Sequence, residues 1–294
     1  MNPLGKWRRL NLWPRLVLAV TLGFLLLSGI FSLLSLKAVD DSTRRILQER
    51  LVIAQMAARE VDALVERGFF ELEKATEFAA FEPQAPSLAD EFHMLAHSYG
   101  RVGTLSLGVY FLDADGGLVM SQPRGKLRQG ADLSGQPHIQ RVMETHNRSV
   151  SDPFVDQATG EPAVALTVPI FRGDGTFVSM LSGIIAVSGA EVMAPLRQAR
   201  DLGQTGHAEL VDGRGLILTS TDYGGFLRPG EHLEFYLRMF RNGGAGVENV
   251  PYVPWHATAQ DGQREHHVMA FAPLSAAPWG VDVADGIRPS CSDA

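Results

Sequence analysis

The sequence predicts an α+β protein that one N-terminal helix anchors in a membrane; this helix continues into a long stalk helix and then into two modules with antiparallel sheets. Three observations carry this prediction. Residues 16–36 hold no charge, residues 47–72 repeat apolar side chains at heptad spacing, and a strand–turn–strand–helix pattern occurs twice about 98 residues apart. We expect the first module to be the larger one and to lie farther from the membrane.

Composition excludes several classes of protein. Of the 294 residues, 45% are hydrophobic and 20% are charged, which is enough for a packed core and too few charges for global disorder. The net charge is −7, and the four basic residues within 1–15 have no acid beside them, so the rest of the chain is more acidic still. An acidic body without a basic stripe argues against nucleic acid as a partner. The single cysteine, Cys291, excludes an internal disulfide and a cysteine-based zinc site.

Residues 16–36 predict a transmembrane helix. This run of 21 uncharged residues matches the roughly 20 residues that cross a hydrocarbon core, and Trp7 and Trp13 precede it. Basic residues lie before the run and acidic residues after it, so the positive-inside rule places residues 1–15 in the cytoplasm and the body outside the plasma membrane. The alternative is a cleaved signal peptide, whose apolar region is normally about 7–15 residues long and precedes an A-x-A-like site. No second run of this length follows, so we expect a single span.

Residues 37–82 predict one long stalk helix. Its apolar residues follow alternating steps of four and three, which is typical of an a/d seam over about three heptads. The seam consists of Leu47, Leu51, Ala54, Ala58, Val61, Val65 and Leu72, with Gly68 in the remaining position. Two interpretations stay open: the seam packs against the protein's own modules, or against a second copy in a homodimer.

Residues 83–188 predict the larger module. Pro83 and Pro86 end the stalk helix, and Ser87 is suited to cap a short helix after them. The acidic and glycine-rich residues 113–117 predict a hairpin turn. The other predicted elements are strands at 105–112 and 118–121, a helix at 136–146, and an antiparallel meander of strands at 149–155, 162–171 and 177–188.

Residues 189–286 predict a smaller copy of the same unit. Residues 210–220 echo residues 112–121, because both have an apolar strand, an acidic glycine turn and a second apolar stretch that ends on a hydroxyl. Two copies at this spacing indicate a duplicated domain and not a solenoid, which needs at least three repeats. The predicted elements are helices at 190–200 and 231–241 and strands at 246–250, 265–273 and 279–284, followed by a tail at 287–294.

Several stretches carry a resemblance to a known family. They are residues 132–138 (DLSGQPH), 151–160 (SDPFVDQATG), 168–171 (VPIF), 183–187 (GIIAV) and 279–283 (WGVDV). Residues 38–285 resemble the double Cache (dCache, PAS-like) sensor domains of bacterial transmembrane receptors, which include sensor histidine kinases, chemoreceptors and cyclic-dinucleotide enzymes. The resemblance implies a small-molecule ligand in the membrane-distal module, between its sheet and the covering helix. Crevices between a helix and a sheet are also where general considerations place small ligands.

The resemblance also implies positions for ligand contacts. The branch of the family that recognises free amino acids uses an Arg and a Trp near the start of the covering helix, a Tyr on the next strand and an Asp late in the meander. Because this chain has other residues there, we do not expect an amino acid to be recognised in that way, although His138 and Arg141 are suited to a small anion. The candidate ligand-binding residues are Tyr110, Gln136, His138, Arg141, Asp152, Phe154, Asp156 and Ser188, of which Gln136, His138, Phe154 and Ser188 occupy the family positions.

The sequence predicts no catalytic residue, metal site or cofactor. His93 and His97 lie four apart on one helix face, but the glutamate of a zinc-protease helix is missing between them. His266 and His267 are adjacent on a strand and should point to opposite faces. The Asp113 turn lacks the remaining ligands of a calcium loop. Asp152 and Asp156 are suited to acid–base chemistry as a pair, but loop acids more often cap turns.

The predicted function is ligand sensing at the cell surface in signal transduction, as in two-component systems and chemotaxis. Because the tail at 287–294 is too short and polar to cross a bilayer, we expect either a receptor without its output domain or one that signals through a separate cytoplasmic protein. Two alternatives remain: an anchored exported enzyme such as a hydrolase, and an accessory protein that hands a captured solute to a transporter.

Overall fold

The structure is a computed structural model that describes residues 12–78, 105–123, 127–157, 159–201, 206–222, 226–230, 232–252 and 265–287. The chain divides into two compact units, residues 1–49 and residues 50–294. The predicted helix after Pro86, the pair His93 and His97, and Cys291 lie outside the described residues.

The described part of the first unit is helical. Helix α1 has the bounds Leu12–Phe78 and therefore belongs to both units. Within it, Leu16–Ala38 is the one segment among the described residues that is long and apolar enough to cross a membrane, and its mean hydropathy is 2.4. Large apolar side chains along this segment are exposed, as they would be if lipid covered them. The prediction of one apolar helix suited to span a bilayer is confirmed.

In the second unit, α1 packs on the protein's own sheets. Ala54, Ala58, Val61, Val65 and Leu72 are buried in one apolar cluster with residues from both sheets. The interpretation of the seam as a face packed on its own modules is therefore right for these turns. A homodimer would need another surface of the helix, because these positions are already covered.

The first module is a six-stranded antiparallel sheet with strand order β2-β1-β6-β5-β3, and β4 pairs with β5. Helix α2 covers one face of this sheet, and the α1 cluster covers the other. The elements are β1 (Gly108–Asp113), β2 (Leu118–Gln122), α2 (Pro137–Thr145), β3 (Ser149–Val150), β4 (Phe154–Val155), β5 (Pro162–Phe171) and β6 (Phe177–Ala186).

Two strand predictions in this module are wrong in detail. The strand predicted at 149–155 is interrupted between β3 and β4. The Ser151 hydroxyl accepts a hydrogen bond from the Ala165 N–H at 2.8 Å, and Pro153 has no N–H to donate to a neighbouring strand. The first strand begins at Gly108 and not at Leu105, since residues 105–107 form a turn.

The second module repeats this topology with a five-stranded sheet of order β8-β7-β11-β10-β9. Helix α4 covers the sheet face that α2 covers in the first module. The elements are α3 (Ala190–Asp201), β7 (Gly206–Asp212), β8 (Ile217–Ser220), α4 (Leu233–Asn242), β9 (Gly246–Tyr252), β10 (Glu265–Pro273) and β11 (Trp279–Ile287). The predicted α+β fold with two antiparallel-sheet modules is confirmed.

The duplication extends to individual hydrogen bonds. Asp113 Oδ1 accepts the backbone N–H groups of Asp115 and Gly117 at the β1–β2 turn. Asp212 Oδ1 accepts those of Arg214 and Leu216 at the β7–β8 turn. These carboxylates serve as the turn caps that acidic residues commonly provide, so Asp113 belongs to the hairpin turn that the sequence predicts.

Candidate ligand-binding cavity

A cavity of about 380 Å³ lies in the first module between α2 and the sheet. Its size falls within the range of roughly 300–1,000 Å³ that is typical of small-molecule sites. Ala165, Ser182 and Ile184 contribute its sheet side, and residues 151–157 form much of its wall. The other lining residues are Tyr110, Leu112, Leu127, Leu133, Gln136, Pro137, His138 and Ile139.

Helix α2 brings its first residues to the cavity. Ile139 and Val142 are buried and hold the helix on the sheet. Pro137 occupies the first turn, where its missing N–H costs nothing. The helix ends at His146, which has a left-handed backbone conformation and donates its N–H to the Val142 carbonyl. Gln136 and His138 therefore lie where the helix begins, over the cavity.

Two titratable side chains of the wall, His138 and Tyr110, are neutral at pH 7. Burial lowers the pKa of His138 to about 4, and the Arg141 charge adds to this while Asp152 opposes it. Burial raises the pKa of Tyr110 to about 12, with a further contribution from the charge of Asp156. His138 thus offers one donor and one acceptor, and Tyr110 keeps its hydroxyl proton.

Two acids of the wall have different surroundings. Asp156 is buried, and its Oδ2 accepts the Thr159 N–H at 3.0 Å and the Thr159 hydroxyl at 2.8 Å. Asp152 is exposed, and its Oδ2 lies 3.6 Å from Nη1 of Arg214, which belongs to the β7–β8 turn of the second module. Arg214 also forms an ion pair with Asp212, in which Nη2 lies 2.9 Å from Oδ2. The rim of the cavity therefore contacts the second module through this ion pair.

Six of the predicted residues line the cavity and two do not. Arg141 is exposed one turn after His138 and is not a lining residue, and Ser188 is exposed beyond the end of β6. Ligand contact by any of them stays a prediction. The six are Tyr110, Gln136, His138, Asp152, Phe154 and Asp156.

Sequence reasoning found Tyr110 on β1 but missed the lining residues of β5 and β6. Ala165, Ser182 and Ile184 lie on β5 and β6, which are buried on both faces, so alternation along the strand does not mark the face that a ligand would meet. Among the described residues, no group of three or more His, Cys, Asp or Glu side chains is arranged to hold a metal ion.

Comparison with known proteins agrees with this architecture. Residues 90–186 match the family model described as HK/GC/Chemotaxis protein-like, sensor domain. No curated protein matches the chain significantly.

Solved structures of low sequence identity share the fold. The ligand-binding domain of the Pseudomonas aeruginosa PAO1 amino acid chemoreceptor PctC, in complex with GABA, is 20% identical with a TM-score of 0.61, and the match covers 83% of this chain and 100% of that one. The extracellular domain of rpHK1S-Z16, described as a histidine kinase, is 18% identical with a TM-score of 0.59, and the match covers 85% and 96%.

A third similar structure belongs to a longer protein. An extracellular ligand binding receptor from Desulfohalobium retbaense DSM5692 is 15% identical with a TM-score of 0.60; the match covers 80% of this chain and 39% of that receptor. The chain thus spans about two fifths of that receptor's length. The double Cache fold predicted from the sequence is confirmed, and identities of this size establish the fold alone.

Proposed function

We propose that this chain is the extracytoplasmic sensor of a signal-transduction receptor, and that its first module binds a small molecule. One observation carries the proposal: α2 covers a cavity of about 380 Å³ whose wall combines apolar side chains with polar groups such as Gln136 and His138. The family match at residues 90–186 supports the same module as the sensing part.

We further propose that Leu16–Ala38 crosses the plasma membrane once and that residues 50–294 lie outside the cytoplasm, with the first module distal to the membrane. The basic residues before the apolar segment support this orientation through the positive-inside rule. Protease added to intact spheroplasts should digest the body, and protease added to inverted vesicles should not. The reverse pattern would contradict the proposed orientation.

Contacts of the loop after α2 support a route for the signal. Arg148 donates to both carboxylate oxygens of Glu66 on α1, at 2.7 and 2.9 Å. Its guanidinium also lies 4.6 Å from the centre of the Phe69 ring. A ligand that holds α2 in one of two positions would bias α1 through these contacts, provided that its affinities for the two arrangements differ.

A thermal-shift screen of the full chain in detergent micelles tests the proposal. Organic acids, amines, amino acids and sugars would be the ligands, and one present at 100 times its dissociation constant should add about 2.7 kcal/mol of stability. Ala165→Phe places a ring in the cavity and should abolish the shift. Ser188→Phe adds the same bulk at an exposed position outside the cavity and should retain it. Equal shifts in both variants would place binding elsewhere.

We propose that this domain senses and does not catalyse. Asp152 and Asp156, the acid pair suited to catalysis, have the structural partners Arg214 and Thr159. Turnover of ester, phosphate or peptide substrates by the purified chain would contradict this. An accessory solute-binding protein would bind ligand without any change at α1, which hydrogen exchange on residues 60–75 would detect.

A further inference from the structure

We propose that the first-module cavity selects a small organic cation, namely an amine that carries no carboxylate group. This inference rests on the proposed function, because it names the class of ligand for the same site. It opposes the small-anion hypothesis that His138 and Arg141 suggested in the sequence.

The charges of the wall support the inference. Asp152 and Asp156 both line the cavity, whereas no lysine or arginine does so among the residues that the structure describes. The Asp156 carboxylate acts on the Tyr110 hydroxyl, because its charge contributes to the raised pKa of that group. A carboxylate this close to the inner wall attracts a cation and repels an anion in a site of low dielectric.

The remaining wall groups suit an ammonium group. An alkylammonium ion has N–H donors and no acceptor. Asp156, the Tyr110 oxygen and the neutral imidazole of His138 are acceptors on one lining, with Tyr110 and Phe154 as aromatic rings beside them. Aromatic faces attract cations, and both rings lie in the wall where the ligand would contact them.

Three positive features oppose the inference and are weaker. The N-terminus of α2 carries a partial charge of about +0.5. Arg141 is exposed, so water and salt screen its charge. Arg214 lies closer to Asp212, at 2.9 Å, than to Asp152, at 3.6 Å. Asp156 is buried, and its charge contributes to the raised pKa of Tyr110, so the balance favours a cationic ligand.

A carboxylate on the ligand would meet no cationic side chain in the described lining. Recognition of carboxylates in proteins commonly uses the paired donors of an arginine, and the described lining offers none. The GABA complex of the similar PctC domain shows a ligand with both an amine and a carboxylate. For this chain we infer that the amine end binds and that the carboxylate end is a disadvantage.

A matched series of four-carbon probes tests the inference. Isothermal titration calorimetry of the full chain in detergent micelles would compare 1,4-diaminobutane, 4-aminobutyrate and succinate at pH 7. We expect the diamine to bind at least 10-fold more tightly than 4-aminobutyrate, and succinate not to bind. Asp156→Asn should weaken the diamine at least 10-fold, and Tyr110→Phe should weaken it less.

Asp174→Asn is the matched control. Asp174 Oδ1 accepts the Thr176 N–H at 2.9 Å in an exposed turn, as Asp156 accepts the Thr159 N–H, but it does not line the cavity. This variant should bind the diamine like the parent protein. Tighter binding of succinate than of the diamine, unchanged affinity in a folded Asp156→Asn protein, or binding of none of the three probes would overturn the inference. If a neutral ligand then binds the parent protein but not Ala165→Phe, the sensor proposal stands and only the preference for an amine is rejected. If no ligand of the thermal-shift screen binds either, both proposals are rejected.

Discussion

The two modules share one fold and differ in what lies between the covering helix and the sheet. Under α2 in the first module there is a cavity of about 380 Å³. Under α4 in the second module, large side chains occupy the corresponding space, and Phe271 lies directly on the backbone at Gly280. The residues of this cluster include Phe235, Tyr236, Met239 and Phe271.

The difference can be followed along one row of side chains across each sheet. Strand pairing aligns Tyr110, Ser182 and Thr167 in the first module and Glu209, Asp282 and Phe271 in the second. The two rows correspond, since Tyr110 and Glu209 each lie three residues before the aspartate that caps the following turn. Thr167 in the first module therefore corresponds in position to Phe271 in the second module.

Each row contains polar side chains, and in the first module two of them face the cavity. Ser182 and Tyr110 line the cavity. In the second module the Tyr236 hydroxyl lies 3.1 Å from Glu209 Oε2 and 3.3 Å from Asp282 Oδ2, and the carboxyl groups are buried. A duplicated fold can therefore leave a cavity beside one such row and bury the carboxyl groups of the other.

The largest expected effect comes from emptying the filled module. Phe271→Ala should destabilise the protein by about 3–5 kcal/mol, because the ring is fully buried and its removal leaves a void. Thr167→Ala, the matched change in the first module, loses the 2.6 Å hydrogen bond to Ser182 and should cost about 1 kcal/mol. Denaturant unfolding followed by circular dichroism would measure both. Equal costs would contradict the contrast between a filled and a hollow module.

The second prediction concerns pH. Burial, and then the charge of Glu209, raises the pKa of Asp282 well above its ordinary 3.8. The folded protein therefore keeps a proton that the unfolded chain releases, so this group's contribution to stability is complete below about pH 4 and is lost as the pH rises toward the folded pKa. One proton corresponds to at most about 1.4 kcal/mol per pH unit. Asp282→Asn keeps the shape and should remove this dependence.

The difference in unfolding free energy between parent and Asp282→Asn, measured from pH 4 to pH 9, isolates the effect. Two ionisable groups adjoin Asp282: Glu209 pairs with it from β7, and the Tyr236 hydroxyl of α4 lies within hydrogen-bonding distance of both carboxyl groups. Its neighbour on β10, Phe271, does not titrate. Asp174→Asn provides a control of opposite sign, since backbone hydrogen bonding lowers the pKa of that exposed carboxyl. A constant difference across the pH range would show that Asp282 is ionised in the folded protein.

The sequence predicts the elements of both modules better than it predicts their interiors. The bounds of β5 (Pro162–Phe171) and β10 (Glu265–Pro273) agree with the predicted strands, because turn residues mark their ends. The residues at the start of α2 were found through motif resemblance. Ser182 and Ala165 were not, because strands buried on both faces have no alternation to show which residues meet a ligand.

The contrast between the modules was also hidden in the sequence. Glu209 and Asp282 become neighbours only through the pairing of β7 with β11, and no local pattern marks two distant acids as partners. The equivalence of Thr167 and Phe271 emerges only once both sheets have been assigned a register. Packing across a sheet, and not local propensity, decides both features.

A smaller effect should distinguish the two tyrosines. Tyr236→Phe removes a hydroxyl shared by two buried carboxyl groups and should cost about 1–3 kcal/mol, because those groups lose a donor. Tyr110→Phe removes a hydroxyl that faces the cavity and should change the stability of the ligand-free protein by less than about 0.5 kcal/mol. Thermal unfolding of both variants would measure this. A larger loss for Tyr110→Phe than for Tyr236→Phe would mean that the polar row of the first module is the closed one.

The smallest effects are expected where each module holds α1 through a polar contact. Asp62 accepts the N–H groups of Ser275 and Ala276 from the second module at 3.0 and 2.8 Å, while Arg148 of the first module binds Glu66. Asp62→Asn and Arg148→Ala should each cost about 1 kcal/mol or less, because exposed polar contacts are weak. Their effects on signalling should differ, since only Arg148 follows the helix that covers the cavity. Ligand-induced changes in hydrogen exchange at residues 60–75 should be lost in Arg148→Ala and retained in Asp62→Asn, and the same response in both would mean that the signal reaches α1 by packing alone.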